Sequence, residues 1–383
     1  MVWIHGVTRL KKIFKIIGNP WKKNEIANEK NYLPRDILFL ILSCLSMKDN
    51  IRASAVCKTW HDIAVSVRDR SPLLVYFNVG LSGVSYGFFD PREKKTTKAM
   101  KLSYQFFDAR LCQSKKGWLL MEHNHEGIKR LFFFNPFTRE HITLPSLIAT
   151  GAFGAAEFAF SCAPTSKGCV LCCISNRTPY RFLIHTWNVG AAKWVTEKVN
   201  KRAPSKFYGN NNIVFSDGYF WFPDQNGLGV YDPVARTWDT LYVPLPNLSP
   251  YLMWITEYQG NIYLVDSVSS RGQMRLIMFR LNRLRLVWEK KKICDGLSSF
   301  ISDESSIMTY GLPRDMSDIV YVWDSHINPD RPVKYSLSTR SFCKRHDGYC
   351  VESSNSNEML HYAAWIEPPQ NSSIYDFPII DPK

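Results

Sequence analysis

The chain has 383 residues, of which 45% are hydrophobic and 14% aromatic, and its formal net charge is +14. This hydrophobic content excludes a chain that is disordered throughout, and the length allows two or three domains with a core of ample size. The charge suggests an acidic partner, but no run of Lys and Arg is longer than Lys290-Lys291-Lys292. A solvated basic surface is therefore the favoured interpretation, and no nucleic-acid partner is expected.

Residues 1–30 are basic, with seven Lys and Arg against two Glu. Within them, residues 7–17 have the apolar spacing of an amphipathic helix that could touch a membrane or act as a nuclear-import element. We favour a disordered leader. The apolar run Ile13 to Ile17 is interrupted by Lys15 and does not resemble a cleavable signal, and no run approaches the roughly 20 residues of a membrane span. We therefore expect the protein in the cytoplasm and/or nucleus, with its ten cysteines reduced.

Residues 33–60 predict short helices that are rich in apolar side chains. Pro34 suits the first turn of a helix, and Asp36 favours its positive end. Apolar residues then recur every four positions, at Ile37, Ile41 and Leu45. A polar break is predicted next, at Ser46, Lys48, Asp49 and Asn50. A second helical run follows until Ser71-Pro72 ends it.

Helices in about 40 residues bury little surface by themselves, since domains of this size are marginal without a staple or a partner. Spacing alone leaves two interpretations open. The apolar faces pack on each other in a small subdomain, or they form a surface that binds a partner.

The order of residues in this stretch resembles an F-box. That family has a Leu-Pro pair, an Ile-Leu pair, a Leu before a short loop, and a Val-Cys-Lys-x-Trp ending. The matching positions are Leu33-Pro34, Ile41-Leu42, Leu45 and Val56 to Trp60. Two departures, Ser46-Met47 and Asn50, are assigned to the loop between helices, where they would weaken docking without abolishing the fold.

The resemblance implies that these helices bind a Skp-type adaptor, which links them to the cullin scaffold of a modular ubiquitin ligase. In such binding, apolar anchors on helices enter a groove and supply most of the affinity. No catalytic residue is needed, and Cys57 is expected to pack as a small buried hydrophobe. The adaptor-binding residues carried over from the family are Leu33, Pro34, Ile37, Ile41, Leu42, Leu45, Met47, Ile51, Val56, Cys57 and Trp60.

From Leu73 onward the sequence predicts a mainly β domain. Short runs rich in β-branched and aromatic residues are bounded by Gly, Pro, Asn or Asp. The predicted strands are Leu73–Phe77, Trp118–Met121, Leu131–Phe134, Val170–Ile174, Phe182–Trp187, Ile213–Phe215, Tyr219–Phe222, Ile262–Val265, Leu276–Phe279 and Ile319–Trp323.

Six segments of the β region repeat one layout, in which an aromatic-rich strand reaches a polar residue, turns, and enters another strand, often through a Trp. The equivalent polar residues are Asp90, Asn135, Asn188, Asp232, Asn282 and Ser338. Their spacing of 45, 53, 44, 50 and 56 residues suits four short strands, which is one blade of a β-propeller. Short turns such as Asp217-Gly218 are expected to lead into the inner strand of each unit.

This layout is similar to the kelch-like propellers attached to many plant F-box proteins, above all in the segment Phe134 to Pro145. The chain lacks the Gly-Gly doublets of the standard kelch unit. Six blades are predicted, with five or seven as alternatives and a pair of β-sandwiches as the main competing fold. The run His361 to Ile366 is expected to pair with the Leu73 region and close the ring.

The predicted domains are a leader at 1–30, a helical F-box at 31–72, a propeller at 73–370 and a tail at 371–383.

Cys169, Cys172 and Cys173 have a ligand-like spacing, but no second pair accompanies them and their neighbours form an apolar strand. Phosphate-binding loops and hydrolase motifs are absent from the sequence. We therefore predict a protein without metal, cofactor or catalytic activity of its own.

The predicted function is that of the substrate-recognition subunit of an SCF-type ubiquitin ligase. The F-box would bind the adaptor, and the β domain would bind an unidentified protein to be ubiquitinated, through inter-blade loops on one face. The alternative is a protein-binding or ligand-sensing propeller that retains an F-box but acts outside any ligase.

Overall fold

The computed structural model describes residues 33–45, 47–54, 56–68, 71–81, 83–97, 99–103, 106–125, 128–147, 156–175, 178, 180–201, 213–224, 227–246, 253–270, 273–292, 295–323, 332–343 and 358–368. The predicted leader and tail lie outside these residues. The chain divides into two compact units after Arg68. Among the described residues, no helix is long and apolar enough to cross a membrane.

The first unit contains three helices in its described residues: α1 (Arg35–Ser43), α2 (Met47–Ser54) and α3 (Lys58–Val67). The predicted polar break is wrong in its position, because α2 begins at Met47 and so includes Lys48, Asp49 and Asn50. The second helical run is interrupted instead at Val56 and Cys57.

The second unit is built from strands. In its described residues these are β1 (Leu73–Gly80), β2 (Gly83–Asp90), β3 (Lys95–Thr96), β4 (Met100–Lys101), β5 (Ala109–Lys115), β6 (Trp118–His125), β7 (Ile128–Phe134), β8 (His141–Thr143), β9 (Glu157–Phe160), β10 (Val170–Ser175), β11 (Arg181–Asn188), β12 (Val195–Asn200), β13 (Val214–Ser216), β14 (Tyr219–Asp224), β15 (Gly227–Asp232), β16 (Thr237–Leu241), β17 (Met253–Tyr258), β18 (Asn261–Ser270), β19 (Gln273–Asn282), β20 (Val287–Lys291), β21 (Leu297–Ser302), β22 (Ser305–Tyr310), β23 (Ile319–Trp323), β24 (Val333–Ser336), β25 (Ser341–Phe342) and β26 (Glu358–Ile366). The ten predicted strands all coincide with strands of this set.

These strands form six sheets, which are the blades of a β-propeller. From the innermost strand outward, blade I is β26-β1-β2-β3, blade II β5-β6-β7-β8, blade III β9-β10-β11-β12, blade IV β13-β14-β15-β16, blade V β17-β18-β19-β20 and blade VI β22-β21-β23-β24-β25. The short β4 also pairs with β2. In blade VI, β21 pairs in parallel with β23. The six-bladed prediction is confirmed, and the β-sandwich alternative is wrong.

The last strand of the chain closes the ring. β26 pairs antiparallel with β1, with Leu73 opposite Ile366 and Leu74 opposite Trp365, as predicted. The innermost strand of blade I therefore comes from the far end of the chain, and β26 also contacts β5 and β22 of the adjacent blades. This pairing covers the inner edge of β1, so that β26 is the innermost strand of blade I.

The repeated turn joins the third and fourth strands of each blade from the centre in blades I to V; we call these the outer turns. In blades I, II, IV and V its Asp or Asn side chain accepts hydrogen bonds from the backbone N–H groups two and three residues further on, as Asp232 Oδ1 does from Val234 at 2.8 Å and Ala235 at 2.9 Å. The sixth equivalent is Ser336 rather than the predicted Ser338, because Ser336 ends β24 and its Oγ accepts from Thr339 N. The final spacing is therefore 54 residues.

In blades II, IV and V a two-residue turn with Gly at its second position joins the innermost strand to the second strand, and so leads into an inner strand of the blade. In Asp217-Gly218 both residues have positive φ, at 51° and 88°, which is the geometry of a tight hairpin.

The hydrophobic cores of the propeller lie between neighbouring blades. Trp238 of blade IV, for example, packs against Phe182 of blade III and leaves no room for a Cβ at Gly229.

Candidate functional site

The candidate site lies in the helical unit. Pro34 precedes α1 with an extended backbone, Asp36 lies in the first helical turn, and the N–H of Cys44 closes the last turn on the Ile41 carbonyl. These are ordinary helix-start and helix-end interactions. The local sequence therefore accounts for the start and the end of α1, which is nine residues long.

One side of each helix forms the core of the unit. Leu38 and Leu42 of α1 pack with Ile63 and Ala64 of α3, and all four are buried. Half-buried apolar side chains cover this cluster, namely Leu45, Ala53, Trp60 and Val67. The core is small, as the length of the segment requires.

A buried polar group joins the helices. Asn50 on α2 is 1% exposed, and its Nδ2 donates to the carbonyl oxygens of Ala64 at 3.0 Å and Leu42 at 3.4 Å. Its Oδ1 accepts from Nε of Arg68 at 3.1 Å. The expectation that Asn50 lies in a loop and weakens docking is therefore wrong in its premise, because the side chain is inside the unit and hydrogen-bonded to both neighbouring helices.

The opposite side of α1 is apolar and exposed. Ile37, Phe39 and Leu40 are exposed, with Leu40 at 60%, and Ile41 is half-buried. At 100° per residue, Ile37, Leu40, Ile41 and Cys44 fall on one continuous arc, and the polar residues Arg35, Asp36 and Ser43 lie outside it. Val56, in the connection before α3, is 62% exposed. A surface of this kind on so small a unit is what a partner-binding helix presents.

The structure separates the predicted adaptor-binding residues into three groups. Pro34, Ile37, Val56 and Cys57 are exposed, whereas Leu33, Ile41, Leu45 and Trp60 are half-buried. Leu42 is corrected, since it is 1% exposed and supports the surface from the core rather than forming it. The buried role expected for Cys57 is also wrong, because it precedes α3 in an extended conformation with its side chain exposed. The side chains of Met47 and Ile51 lie outside the described atoms.

Sequence reasoning missed Phe39 and Leu40, which belong to the exposed apolar side of α1. The signal was available in the run Ile37 to Leu42, where every residue is apolar. Because one helix face already fills the core, the remaining apolar residues of such a run have to face outward. The role of all these residues in adaptor binding stays a prediction.

Several polar groups of the propeller have partners on neighbouring strands. Arg110 and Glu122 lie opposite each other on β5 and β6 and form an ion pair of 2.7 Å. His185 lies between the hydroxyls of Ser175 and Thr196, each at 2.8 Å, and its burial lowers its pKa to about 4. These are cross-strand pairs that stabilise single blades.

The cysteine cluster is divided by its strand. Cys172 and Cys173 are buried on opposite sides of β10, in different core clusters, and Cys169 packs with Cys173. Burial raises the pKa of Cys169 to about 11, so its thiol stays protonated. Within the described part of the chain, no three His, Cys, Asp or Glu side chains are arranged to hold a metal ion.

Comparison with known proteins gives the same two-part organisation. Residues 31–68 match the F-box-like family, and residues 88–354 match the KIB1-4 β-propeller family. F-box protein At1g49360 of Arabidopsis thaliana is 45% identical over 377 residues, which cover 94% of this chain and 77% of that protein. F-box/kelch-repeat protein At1g57790 of the same plant is 34% identical over 356 residues, or 89% of this chain and 95% of that protein.

The family matches cover both units, and the relatives align over nearly the whole chain. An F-box of this kind implies binding to a Skp-type adaptor in general, which agrees with the exposed apolar side of α1. The chain therefore belongs to the F-box proteins that carry a KIB1-4 β-propeller.

Proposed function

We propose that the protein is the substrate-recognition subunit of an SCF-type ubiquitin ligase. The helical unit binds the Skp-type adaptor and through it a cullin scaffold, and the propeller binds the protein to be ubiquitinated. Its contribution to the reaction is proximity, since a bound target is held at high local concentration near the charged enzyme. The protein itself is an adaptor-type subunit and supplies no catalytic residue.

The observation that carries the proposal is the exposed apolar side of α1 beside a well-packed core. Ile37 and Leu40 are exposed. Leu38 and Leu42, on the other side of the same helix, are buried. The core thus needs one side of the helix only. Two further points support it: the F-box-like match includes these residues, and a propeller is a rigid scaffold of the kind on which binding surfaces are built.

The experiment that tests the proposal is binding of the full-length protein to a purified Skp-type adaptor. Ile37→Glu/Leu40→Glu places two charges on the exposed side of α1 without touching the core, so we expect loss of binding by about 100-fold or more. The matched control is Leu81→Glu, at a fully exposed leucine of the β1–β2 hairpin. It should bind like the wild type.

Two outcomes would overturn the proposal. One is a folded wild-type protein that fails to bind the adaptor. The other is equal binding by the wild type and the double variant. We further propose that the protein acts in the cytoplasm or nucleus, which imaging of a tagged chain tests directly.

A further inference from the structure

The outer turns of neighbouring blades lie together at one end of the propeller, which we call the turn face. In blade IV, Ser216 is opposite Tyr219 and Phe220 is opposite Tyr231, so the turn at Asp217-Gly218 and the outer turn after Asp232 emerge at the same end. Blades II and V have the same register. Blade III has the same order of strands, and its outer turn therefore joins them.

Contacts between blades confirm this arrangement on both sides of the ring. Arg283, in the outer turn of blade V, bonds Asp217 of blade IV at 2.5 Å and the carbonyl of Gly260 at 2.7 Å. Its guanidinium carbon lies 4.8 Å from the centre of the Trp221 ring. Similarly, Glu367 at the end of blade I accepts from the backbone N–H of Lys116 in blade II at 2.9 Å. These contacts anchor the turn face where blade IV meets blade V and where blade I meets blade II.

The outer turns of blades I to V are basic. From the last residue of the third strand to the first residue of the fourth, they contain four acidic residues and eight basic ones, all of the latter exposed: Arg92, Lys94, Lys95, Arg139, Lys193, Arg236, Arg283 and Arg285. The equivalent turn of blade VI adds the exposed Arg340.

The four acidic residues are engaged locally. Asp90 and Asp232 accept from the backbone N–H groups of their own turns. Glu93 lies 4.0 Å from Lys95, and Glu140 accepts from the Thr138 hydroxyl at 2.8 Å. Arg283 is paired with Asp217, and Nε of Arg236 lies 3.9 Å from Glu197. With eight basic and four acidic residues, the outer turns of blades I to V carry a net positive charge.

Two aliphatic side chains stand at the tips of these turns. Val234 in blade IV is 90% exposed and Leu284 in blade V is 98% exposed. The turn uses only their backbone N–H groups, which bond Asp232 and Asn282. In blade II the equivalent Phe137 is buried against Phe88, with ring centres 5.0 Å apart. The fold therefore explains an apolar residue at this position in blade II, but not in blades IV and V.

We propose that the turn face binds an acidic protein segment that also carries aliphatic residues. Its carboxylates would lie along the basic outer turns, and its apolar side chains would cover Val234 and Leu284. The exposed tips at Val234 and Leu284 favour a protein over single-stranded nucleic acid because they are aliphatic, whereas Tyr219, which is 39% exposed beside the Asp217-Gly218 turn, offers a ring on which a base could stack. The target would then bind at the turn face rather than at the inter-blade loops. That this acidic segment belongs to a protein to be ubiquitinated rests on the proposed function.

The test is fluorescence anisotropy of labelled peptides with the full-length chain. The probes are (Glu-Glu-Leu)4, (Glu-Glu-Ser)4, (Lys-Lys-Leu)4 and an oligouridylate of 12 nucleotides. Charge complementarity predicts that the first peptide binds most tightly and that its affinity falls with salt.

Three variants locate the binding. Arg236→Glu/Arg285→Glu should weaken (Glu-Glu-Leu)4 binding about tenfold or more, and Val234→Ser/Leu284→Ser should weaken it about threefold to tenfold. The control, Lys198→Glu/Lys290→Glu, makes the same charge change at exposed positions of the outermost strands β12 and β20. It should bind within about twofold of the wild type, if surface location decides the effect.

The proposal is overturned if (Glu-Glu-Leu)4 fails to bind, if the control weakens it as much as the turn variant, or if the oligouridylate binds more tightly and depends on the same arginines. Adaptor binding is measured on the same variants. These variants leave the helical unit unchanged. A protein that binds the adaptor but not the peptide therefore refutes the turn-face proposal alone and leaves the proposed function standing.

Discussion

The side chains of Asn50, on α2, and Arg68, the residue that follows α3, form a buried hydrogen bond of 3.1 Å. The Asn50 amide also donates to the carbonyl oxygens of Ala64 and Leu42, so that one side chain on α2 is bonded to α1, to α3 and to the residue that follows α3. In a unit with so small an apolar core, a satisfied polar group of this kind fixes how the helices pack.

Replacement of this residue tests its role. Asn50→Ala removes three hydrogen bonds, so that the buried carbonyl and guanidinium groups lose Asn50 as a partner. We expect the free energy of unfolding of the helical unit to fall by about 2–4 kcal/mol. Hydrogen exchange on the full-length protein should show faster exchange of amides in α1 to α3 and unchanged protection in the propeller. Asp62→Ala, at an exposed site on α3, is the control. Unchanged protection in Asn50→Ala would contradict the role.

Two leucines of α1 give a paired prediction. Leu42→Ala creates a cavity in the core and should cost about 2–5 kcal/mol, whereas Leu40→Ala removes an exposed side chain and should change stability by less than about 0.5 kcal/mol. For Leu40→Ala we expect weaker adaptor binding although the stability of the protein is unchanged. Thermal unfolding and adaptor affinity are measured on both. A Leu40→Ala protein that binds normally would argue that this side of α1 is not the docking surface.

The sequence predicted the outer features of the propeller well because they depend on local chemistry. The Asp or Asn of each outer turn bonds its own backbone, and a polar residue in that position can be recognised without knowing the fold. Ser336 was misplaced by two residues because Ser338 and Ser336 are equally plausible as turn residues, and only the end of β24 decides between them.

Several of the inner strands were harder to recognise. β5, β21 and β22 carry Ser, Gln and Arg among their apolar residues, so neither alternation nor a continuous apolar run marks them. In the helical unit, Asn50 interrupts an apolar pattern and was therefore assigned to a loop. Its three hydrogen bonds are tertiary contacts, and they override the local signal.

Closure of the ring predicts a strong effect for Trp365 on β26. Its side chain is fully buried, its Nε1 donates to the Ile301 carbonyl at 3.0 Å, and its ring lies edge-on to Phe300 at 5.0 Å. Trp365→Ala should therefore destabilise the propeller by about 3–5 kcal/mol. Trp365→Phe keeps most of the packing but loses the hydrogen bond and should cost less. Equal thermal midpoints for the wild type and Trp365→Ala would show that β26 contributes little to closure.

Asp266 and Asp224 give the final prediction, because they occupy equivalent positions with different partners. Each lies six residues after the Gly of its hairpin turn, on β18 and β14. Asp224 is paired with Lys201 at 2.6 Å, and both side chains are buried. Asp266 is also buried, but no side chain in the described part of the chain donates a hydrogen bond to it. Burial raises the pKa of Asp266 to about 7, against a smaller opposing effect of the Ser267 backbone.

The sign of the pH effect follows from this raised pKa. Below about pH 4 the carboxyl is protonated in both the folded and the unfolded chain, so its ionisation costs nothing. As the pH rises to about 7, the unfolded chain ionises first and the folded state loses up to about 4 kcal/mol relative to it. Asp266→Asn, which cannot ionise, should therefore raise the thermal midpoint of the propeller at pH 8 by several degrees and leave it nearly unchanged at pH 4.

Asp224→Asn is the matched control, with the opposite expectation. It leaves Lys201 buried without its charged partner and should lower the midpoint at pH 8, with a cost of about 3–5 kcal/mol. Differential scanning calorimetry of the three full-length proteins between pH 4 and pH 8 measures both effects. If Asp266→Asn shifts the midpoint equally at the two ends of this range, the carboxyl does not titrate within it and the buried, unpaired state of Asp266 is refuted. If the two variants behave alike, the difference between a paired and an unpaired carboxylate at this position has no energetic consequence.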